Sequence, residues 1–282
     1  MKIIDIDLGG YKILQLKNSS RTQMMSYIIT TPSGKIFVID GGMEADCGYL
    51  ARVLRSMGGK VDVLLISHAH GDHFGAPCKL FKGGYGVEFG CLLINLPPRK
   101  WLTKAEPGSV VYETPDKFYE DLACYKGLTI KPRQGDVYTL DGMEIRVLKD
   151  CSDYMRYDET EKSPINDTSI VVQVCFPNGK TALFLGDLGE HSGDVLAEMY
   201  GEDLRSDIVQ MAHHGQQGTG KNVYELVNPS VCLWPTPDWL WTNDSGKGYN
   251  SGPWETFETR EWMESLGVKL HGREFDGDVL VK

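Results

Sequence analysis

Residues 67–76, SHAHGDHFGA, put three histidines and one aspartate within six positions, directly after the apolar run VDVLLI. The whole chain of 282 residues holds only seven histidines. Neutral imidazoles and carboxylates are natural ligands for zinc and similar divalent ions. His68 and His70, two apart at a strand end, can project from one stretch of backbone toward a single ion. Asp72 and His73 fall on the next turn, where Gly71 lets the chain bend sharply. Four donors on so short a loop do not easily surround one ion, so the spacing points to two adjacent sites. Two ions a few ångströms apart can share a hydroxide whose pKa falls toward neutrality, which makes a nucleophile for in-line displacement.

Such a loop needs elements to hold it and further ligands to complete it. A faint internal duplication supplies both. The first copy runs SYIITTPSGKIFVIDGG (Ser26–Gly42), then a helical stretch, then DVLLISHAHG (Asp62–Gly71). The second runs SIVVQVCFPNGKTALFLGD (Ser169–Asp187), a helical stretch, then DIVQMAHHG (Asp207–Gly215). Each copy has a P-x-G-K turn between two strands and an acid after the second strand, Asp40 or Asp187. Each then has a helix ending at Gly and a short apolar strand, with Asp62 six before His68 and Asp207 six before His213. Two hairpin–helix–strand halves packed sheet on sheet predict an α/β chain of class αββα, a four-layer sandwich of two mixed sheets with helices outside. The acids and histidines of both halves then meet at one edge. The expected organisation is one domain over 1–282, built from halves at roughly 1–150 and 151–282.

Bulk properties narrow the partners. Apolar residues make up 41% and charged residues 24% of the chain, enough for a sizeable core. A net charge of −10 argues against a broad duplex nucleic-acid face, which needs clustered Lys and Arg. The seven cysteines are scattered, with no C-x-x-C pair, as suits free thiols in a reducing cytosol. The opening MKIIDIDLGGYKILQL alternates and carries acids early, which reads as a strand and not as a signal peptide. No apolar run approaches the roughly 20 residues that span a bilayer. A cytoplasmic location and no membrane partner are expected.

HAHGDH resembles the signature of the metallo-β-lactamase superfamily, whose αββα fold agrees with the duplicated pattern. The resemblance implies that Asp40 orients the metal loop without binding metal. It also implies that Asp187 bridges the two ions and that His213 is the last metal histidine; the duplication reaches Asp187 and His213 independently. Many members place a further histidine just before the strand that opens the second half. Here that place reads SPINDTSIVV, with Asn166 and Asp167. This substitution, the later HHG and the tail LGVKLHGREFDGDVLVK are similar to the hydrolase domain of bacterial DNA-uptake (competence) channels. Asp167 is the expected ligand because a carboxylate binds hard ions better than an amide; Asn166 stays open as the alternative or as a substrate contact.

The resemblance then implies two divalent ions, zinc with manganese or iron as alternatives. His68, His70 and Asp167 would hold one, Asp72, His73 and His213 the other, with Asp187 between them. Asp72 would pass a proton to the leaving group. His214 would donate to a developing oxyanion or simply pack behind a ligand. The expected substrate is a phosphoester or phosphodiester in a small molecule or single-stranded nucleic acid. The alternatives are a carboxylic ester, lactone or thioester, or a binding protein without turnover. The segment from Trp234 to Trp254 holds four of the six tryptophans. It is either an aromatic wall over the metals or a packed loop, with Tyr249 and Asn250 as candidate substrate contacts. His191 and His271 are given no role.

Overall fold

Runs such as YIIT, IFVI and VDVLLI have no polar face to offer water, so as strands they must be covered on both sides. The computed structural model, which describes residues 1–20, 22–105, 115–154 and 163–282, meets this demand with four layers. In chain order the first half contains β1 (Lys2–Ile4), β2 (Lys12–Gln15), β3 (Tyr27–Thr30), β4 (Ile36–Ile39), α1 (Cys47–Ser56), β5 (Lys60–Ile66), α2 (Gly71–Phe81) and β6 (Glu88–Ile94). It continues with α3 (Arg99–Ala105), α4 (Pro115–Leu122), β7 (Leu128–Ile130), β8 (Val137–Leu140) and β9 (Met143–Lys149). The second half contains β10 (Val171–Cys175), β11 (Thr181–Phe184), α5 (Glu190–Tyr200), β12 (Ile208–Gln210), α6 (Lys221–Val227) and β13 (Val231–Trp234). It ends with α7 (Asp238–Trp241), α8 (Thr256–Ser265), β14 (Leu270–Arg273) and β15 (Val279–Val281).

One sheet has the order β1-β15-β2-β3-β4-β5-β6-β7 and the other β14-β13-β12-β11-β10-β9-β8. Both are mixed. The first is parallel at its β1–β15 edge, antiparallel from β15 to β4 and parallel from β4 to β7; the second changes once, at β11. Between the sheets lie Tyr27, Phe37, Ile39 and Leu65 from one side and Val172, Phe184, Ile208 and Leu233 from the other. The Tyr27 and Phe184 rings meet edge to face across this layer, 5.1 Å apart. The alternate residues Ile28, Val38, Leu64 and Ile66 point outward and are covered by Leu50 and Leu54 of α1, Phe74 of α2 and Phe118 of α4. On the far side Val171, Leu183 and Val209 meet Leu196 of α5, Tyr224 of α6 and Met263 of α8. Three apolar layers between four structural layers make the αββα sandwich expected of the sequence.

The two halves share a detail that explains their second acids. Asp62 opens β5 and takes Lys35 Nζ at 3.0 Å and the Ile36 N–H at 2.9 Å. Asp207 before β12 takes Lys180 Nζ at 2.6 Å and the Thr181 N–H at 3.0 Å. In each case the carboxylate clamps the P-x-G-K turn of the hairpin to the following parallel strand. Pairing of Phe37 with Val63 and of Ala182 with Ile208 then makes His68 and His213 equivalent in register. By the same register Asp40 corresponds to Leu185, so Asp40 and Asp187 are not equivalent and serve different ends.

The opening segment forms two strands, not one. The Gly9–Gly10 turn, with φ of 68° and 89°, separates β1 from β2. The β8–β9 hairpin turns at Asp141–Gly142, both with φ above zero, as a two-residue connection requires.

Gly75, in the first turns of α2, lies so close to the chain that a Cβ there would stand 2.6 Å from the Glu44 nitrogen. Backbone does not yield as a side-chain tip does. Gly75→Ala should therefore lower stability by about 1–3 kcal/mol, read as a drop in melting temperature. Gly48→Ala, on α1 with open space around it, should stabilise by about 0.5–1 kcal/mol. A second expectation concerns Glu274, in the turn between β14 and β15, which is 1% exposed. Burial, with the Asp46 and Asp72 carboxylates adding to it and the Asn18 N–H offsetting it in part, pushes its carboxyl well above the ordinary value of 4.5. The folded chain then keeps a proton that the unfolded chain releases, so stability falls as pH rises from 4.5 toward the raised value. Glu274→Gln should match the parent below that window and melt higher than it at neutral pH, as thermal denaturation across the window will show.

Candidate metal centre

The C-terminal ends of parallel strands β4, β5, β11 and β12 converge on one edge of the sandwich, the place where open α/β sheets bind ligands. Strand β5 delivers Ser67, His68 and His70. Helix α2 begins at once and carries Asp72 and His73 on its first turn, with His70 as its N-cap. The turn after β11 carries Asp187, and the turn after β12 carries His213 and His214. The two sheets are tied at this edge by the Ile170 N–H, which donates to the Ser67 carbonyl at 2.9 Å.

Two groups of donor atoms form here. Asp72, His73, Asp187 and His214 offer one atom each within 4.8 Å of one another, and so do His68, His70 and Asp187. All are buried, and Asp187 belongs to both. Asp72 Oδ1, His73 Nε2, Asp187 Oδ1 and His214 Nε2 are enclosed without a hydrogen-bond partner. His73 Nε2 is 3.1 Å from Asp187 Oδ1, and His214 Nε2 is 3.2 Å from Asp72 Oδ2. In each of these rings the other nitrogen is already hydrogen-bonded. His73 Nδ1–H donates to Asp40 Oδ2 at 2.8 Å, and His214 Nδ1–H donates to the Pro235 carbonyl at 2.7 Å. Buried polar atoms left unpaired cost about 1–3 kcal/mol each, and four aimed at one space fit a cation that takes their lone pairs. His68 Nε2 and His70 Nδ1 face each other at 3.1 Å in the same manner. The donor set of imidazoles and carboxylates suits zinc, manganese or iron.

The supports around these atoms are equally specific. Asp40 takes the Ser67 N–H at 2.8 Å, Ser67 Oγ at 2.7 Å and His73 Nδ1, so it fixes the whole loop. Ser67 Oγ, having donated to Asp40, accepts from His68 Nδ1 at 3.0 Å, with Ser169 Oγ 3.3 Å away on the other side. Ser169 Oγ also accepts the Asp187 N–H at 3.1 Å. Gln23 Nε2 donates to Asp72 Oδ2 at 2.7 Å. Gln210, buried in β12, takes the Leu185 and Gly186 N–H groups on Oε1 and donates to the Gly186 and Met211 carbonyls. It thereby shapes both turns of the second half. Gln210 is visible in the sequence as an amide inside the run IVQM, where a buried strand has no place for one unless it is bonded; Ser67, Ser169 and Gln23 carry no such signal.

Burial by itself would raise the Asp187 carboxyl, but the His73 and His214 imidazoles outweigh it and hold the group well below the ordinary carboxylate range. Asp72 is lowered against the same burial by His214 and His73. His68 is pushed down by burial and by neighbouring His73, so its ring is neutral.

Not all of the residues expected at the centre stand in the two donor groups. His213 stands in neither donor group. The six-residue offset from Asp207 reaches it, but His213 and His214 both take left-handed backbone angles, φ of 47° and 55°. At this turn the His214 imidazole lies in the first donor group. His213 is partly buried and lines a cavity of about 510 Å³ with Asn166, Asp167, Glu190, Asp194 and Gln217. Asp167 also stands outside both groups; its Oδ1 accepts the Gly189 N–H at 3.2 Å before α5. Asn166 is 3% exposed, and its Oδ1 has no hydrogen-bond partner. Tyr249 is 73% exposed against Phe257, and Asn250 bonds Asn243 within its own loop; neither lines this cavity. In the tryptophan segment Trp234 is fully buried, and the half-buried Trp239 meets Trp254 edge to face while donating to the Thr22 carbonyl at 3.2 Å. Among the described residues no helix is long and apolar enough to cross a membrane.

A family model described as the metallo-β-lactamase superfamily matches residues 21–76, the stretch from the β2–β3 loop through the H-x-H-x-D-H turn into α2. No curated protein matches the sequence. Among solved structures, the metallo-β-lactamase fold protein YhfI from Bacillus subtilis is similar at 12% identity, over 93% of this chain and 95% of that one, with a TM-score of 0.52. CmlA, a diiron β-hydroxylase from Streptomyces venezuelae, is similar at 11% identity over 93% of this chain, with a TM-score of 0.56; the match spans 52% of that longer protein. At such identities the likeness is one of fold. The chain therefore has the metallo-β-lactamase fold, and the segment holding His68, His70, Asp72 and His73 matches that superfamily's sequence model.

Proposed function

We propose that the protein is a dinuclear metal-dependent hydrolase that acts on a phosphoester of a small molecule. The observation that carries this reading is the set of enclosed, unpartnered donor atoms on Asp72, His73, Asp187 and His214, beside the facing nitrogens of His68 and His70. His68, His70 and Asp187 would hold one ion, and Asp72, His73, His214 and Asp187 the other. The enclosed Oδ1 of Asn166 is the remaining candidate donor from the segment before β10. When bound, such ions supply Lewis acidity to the scissile group and lower the pKa of coordinated water. Asp40 keeps His73 and the Ser67 backbone in place, and Pro235 keeps His214 in the tautomer that presents Nε2. His213, facing the cavity with a ring that burial keeps neutral, is placed to hold or pass a proton at the leaving group.

The cavity beside the centre is lined by Asp167, Glu190, Asp194 and Glu255. These carboxylates repel a polyanion, which favours a small phosphoester with one charged group over a single-stranded nucleic acid. The same lining favours a second reading, an uncharged carboxylic ester, lactone or thioester. The resemblance of INDTS, HHG and the C-terminal tail to the hydrolase domain of DNA-uptake channels, read from the sequence, is what favours the phosphoester. A reducing, cytoplasmic setting accords with seven free thiols among the described residues.

Metal analysis of protein purified without chelator should find about two ions per chain. Asp187→Ala should bind neither ion well, and His214→Ala should lose one, whereas His213→Ala should keep both; loss of an ion in His213→Ala alone would reverse the assignment of the pair. Asp40→Ala should reduce metal affinity or turnover by roughly 10–100-fold. Hydrolysis of bis(p-nitrophenyl) phosphate in preference to p-nitrophenyl acetate supports the phosphoester, and the opposite preference supports the acyl reading.

A further inference from the structure

A second cavity, of about 320 Å³, shares no residue with the metal centre. It lies where β13 and β14 meet the start of the chain and α8, and it is lined by Lys2, Trp241, Arg260, Lys269 and Arg273 with one acid, Glu264. In a chain of net charge −10, four cations around one small space are out of proportion. Arg273 is paired with Asp276 at 2.7 Å, and Lys2 stands 3.9 Å from the same carboxylate. Arg260 and Lys269 have no carboxylate partner among the described residues.

The floor is aromatic and rigid. Trp241 packs perpendicular to the buried Trp234, 5.3 Å between ring centroids. The Arg260 guanidinium lies 4.1 Å and that of Arg273 5.5 Å from the centre of the same Trp241 ring. Both charges are thus held within about 10 Å of each other, a separation at which like charges still repel. Arg260 Nη1 also donates to the Trp241 carbonyl at 3.3 Å, which fixes the head group but adds no negative charge. His271 is neutral in this setting: Nδ1 accepts from Trp234 Nε1 at 3.0 Å and Nε2 donates to the Val268 carbonyl at 3.1 Å. It contributes polarity without adding to the charge.

We infer that this cavity is an anion-binding site for a small phosphorylated molecule, whose phosphate sits between Arg260, Arg273 and Lys269. Guanidiniums held on an aromatic ring are pre-organised for phosphate, because little side-chain freedom remains to be lost on binding. A tetrahedral oxyanion relieves the repulsion between the two arginines and supplies the charge that Arg260 and Lys269 lack. The volume fits a phosphate with a small organic group and not an extended strand. Trp234, one wall of the cavity, packs against Gly215, the residue after His214; a Cβ on Gly215 would reach it at 2.7 Å. Occupancy of the cavity therefore bears on the turn that aims His214.

The test is calorimetric titration of the full chain with inorganic phosphate and with pyrophosphate, as purified and again after chelation. One saturable site that survives chelation is expected. Arg260→Gln should weaken it about tenfold, as loss of one charge-assisted contact does, and Arg260→Gln with Lys269→Gln further, at an unchanged melting temperature. Asp187→Ala should leave this site intact, which separates it from the metal centre whatever that centre binds. No saturable binding of either anion, or binding that the double substitution leaves unchanged, overturns the inference. Capture of a short single-stranded oligonucleotide without binding of phosphate or pyrophosphate overturns the small-ligand assignment.

Discussion

Asp187 is the carboxylate around which the site is built. It is 1% exposed, within 3.1 Å of His73 and 3.7–3.9 Å of His214 and His68, and it is the member common to both donor groups. A buried carboxylate without hydrogen-bond partners on the oxygen it aims at its neighbours needs positive charge nearby. Its imidazole neighbours His73 and His214 are committed on their other nitrogens. Those commitments, His73 to Asp40 and His214 to Pro235, leave a space that suits cations better than it suits water.

The scaffold makes such an arrangement affordable. Three apolar layers hold two sheets and two sets of helices, and each sheet turns from antiparallel to parallel at the strand that leads to the site. The Asp62 and Asp207 clamps fix hairpin to strand in the two halves alike. Above those clamps the halves diverge. The first half spends its short loop on four donors and uses Asp40 to hold them. The second contributes Asp187 and His214 from turns shaped by Gln210. Symmetry thus belongs to the framework, and the chemistry belongs to its departures.

Charge divides the surface in the same spirit. The cavity next to the donor groups is lined by carboxylates, whereas the cavity behind Trp234 gathers arginines and lysines. An acidic cleft limits the substrate to a group that two cations can hold. A basic pocket elsewhere gives an anion a separate place to bind, joined to the first through one tryptophan packed on the glycine after His214.

The H-x-H-x-D-H loop, the alternation of buried strands and the paired acids at Asp62 and Asp207 were legible in the sequence. Each rests on local spacing: two residues along a strand, six from strand start to strand end. The duplicated hairpin–helix–strand pattern also predicted the four layers, because two such halves packed sheet on sheet leave their helices outside. Tertiary structure alone placed His214, and not His213, in a donor group, at a turn where both residues take left-handed backbone angles. It likewise turned Asp167 toward the Gly189 backbone, enclosed Asn166, and buried Trp234 of the tryptophan segment. The basic cavity was invisible in one dimension, as its cations come from positions 2, 260, 269 and 273. The physical reason is the same throughout. Periodicity determines which face a residue is on, but where a side chain points at a chain reversal depends on backbone angles set by distant packing.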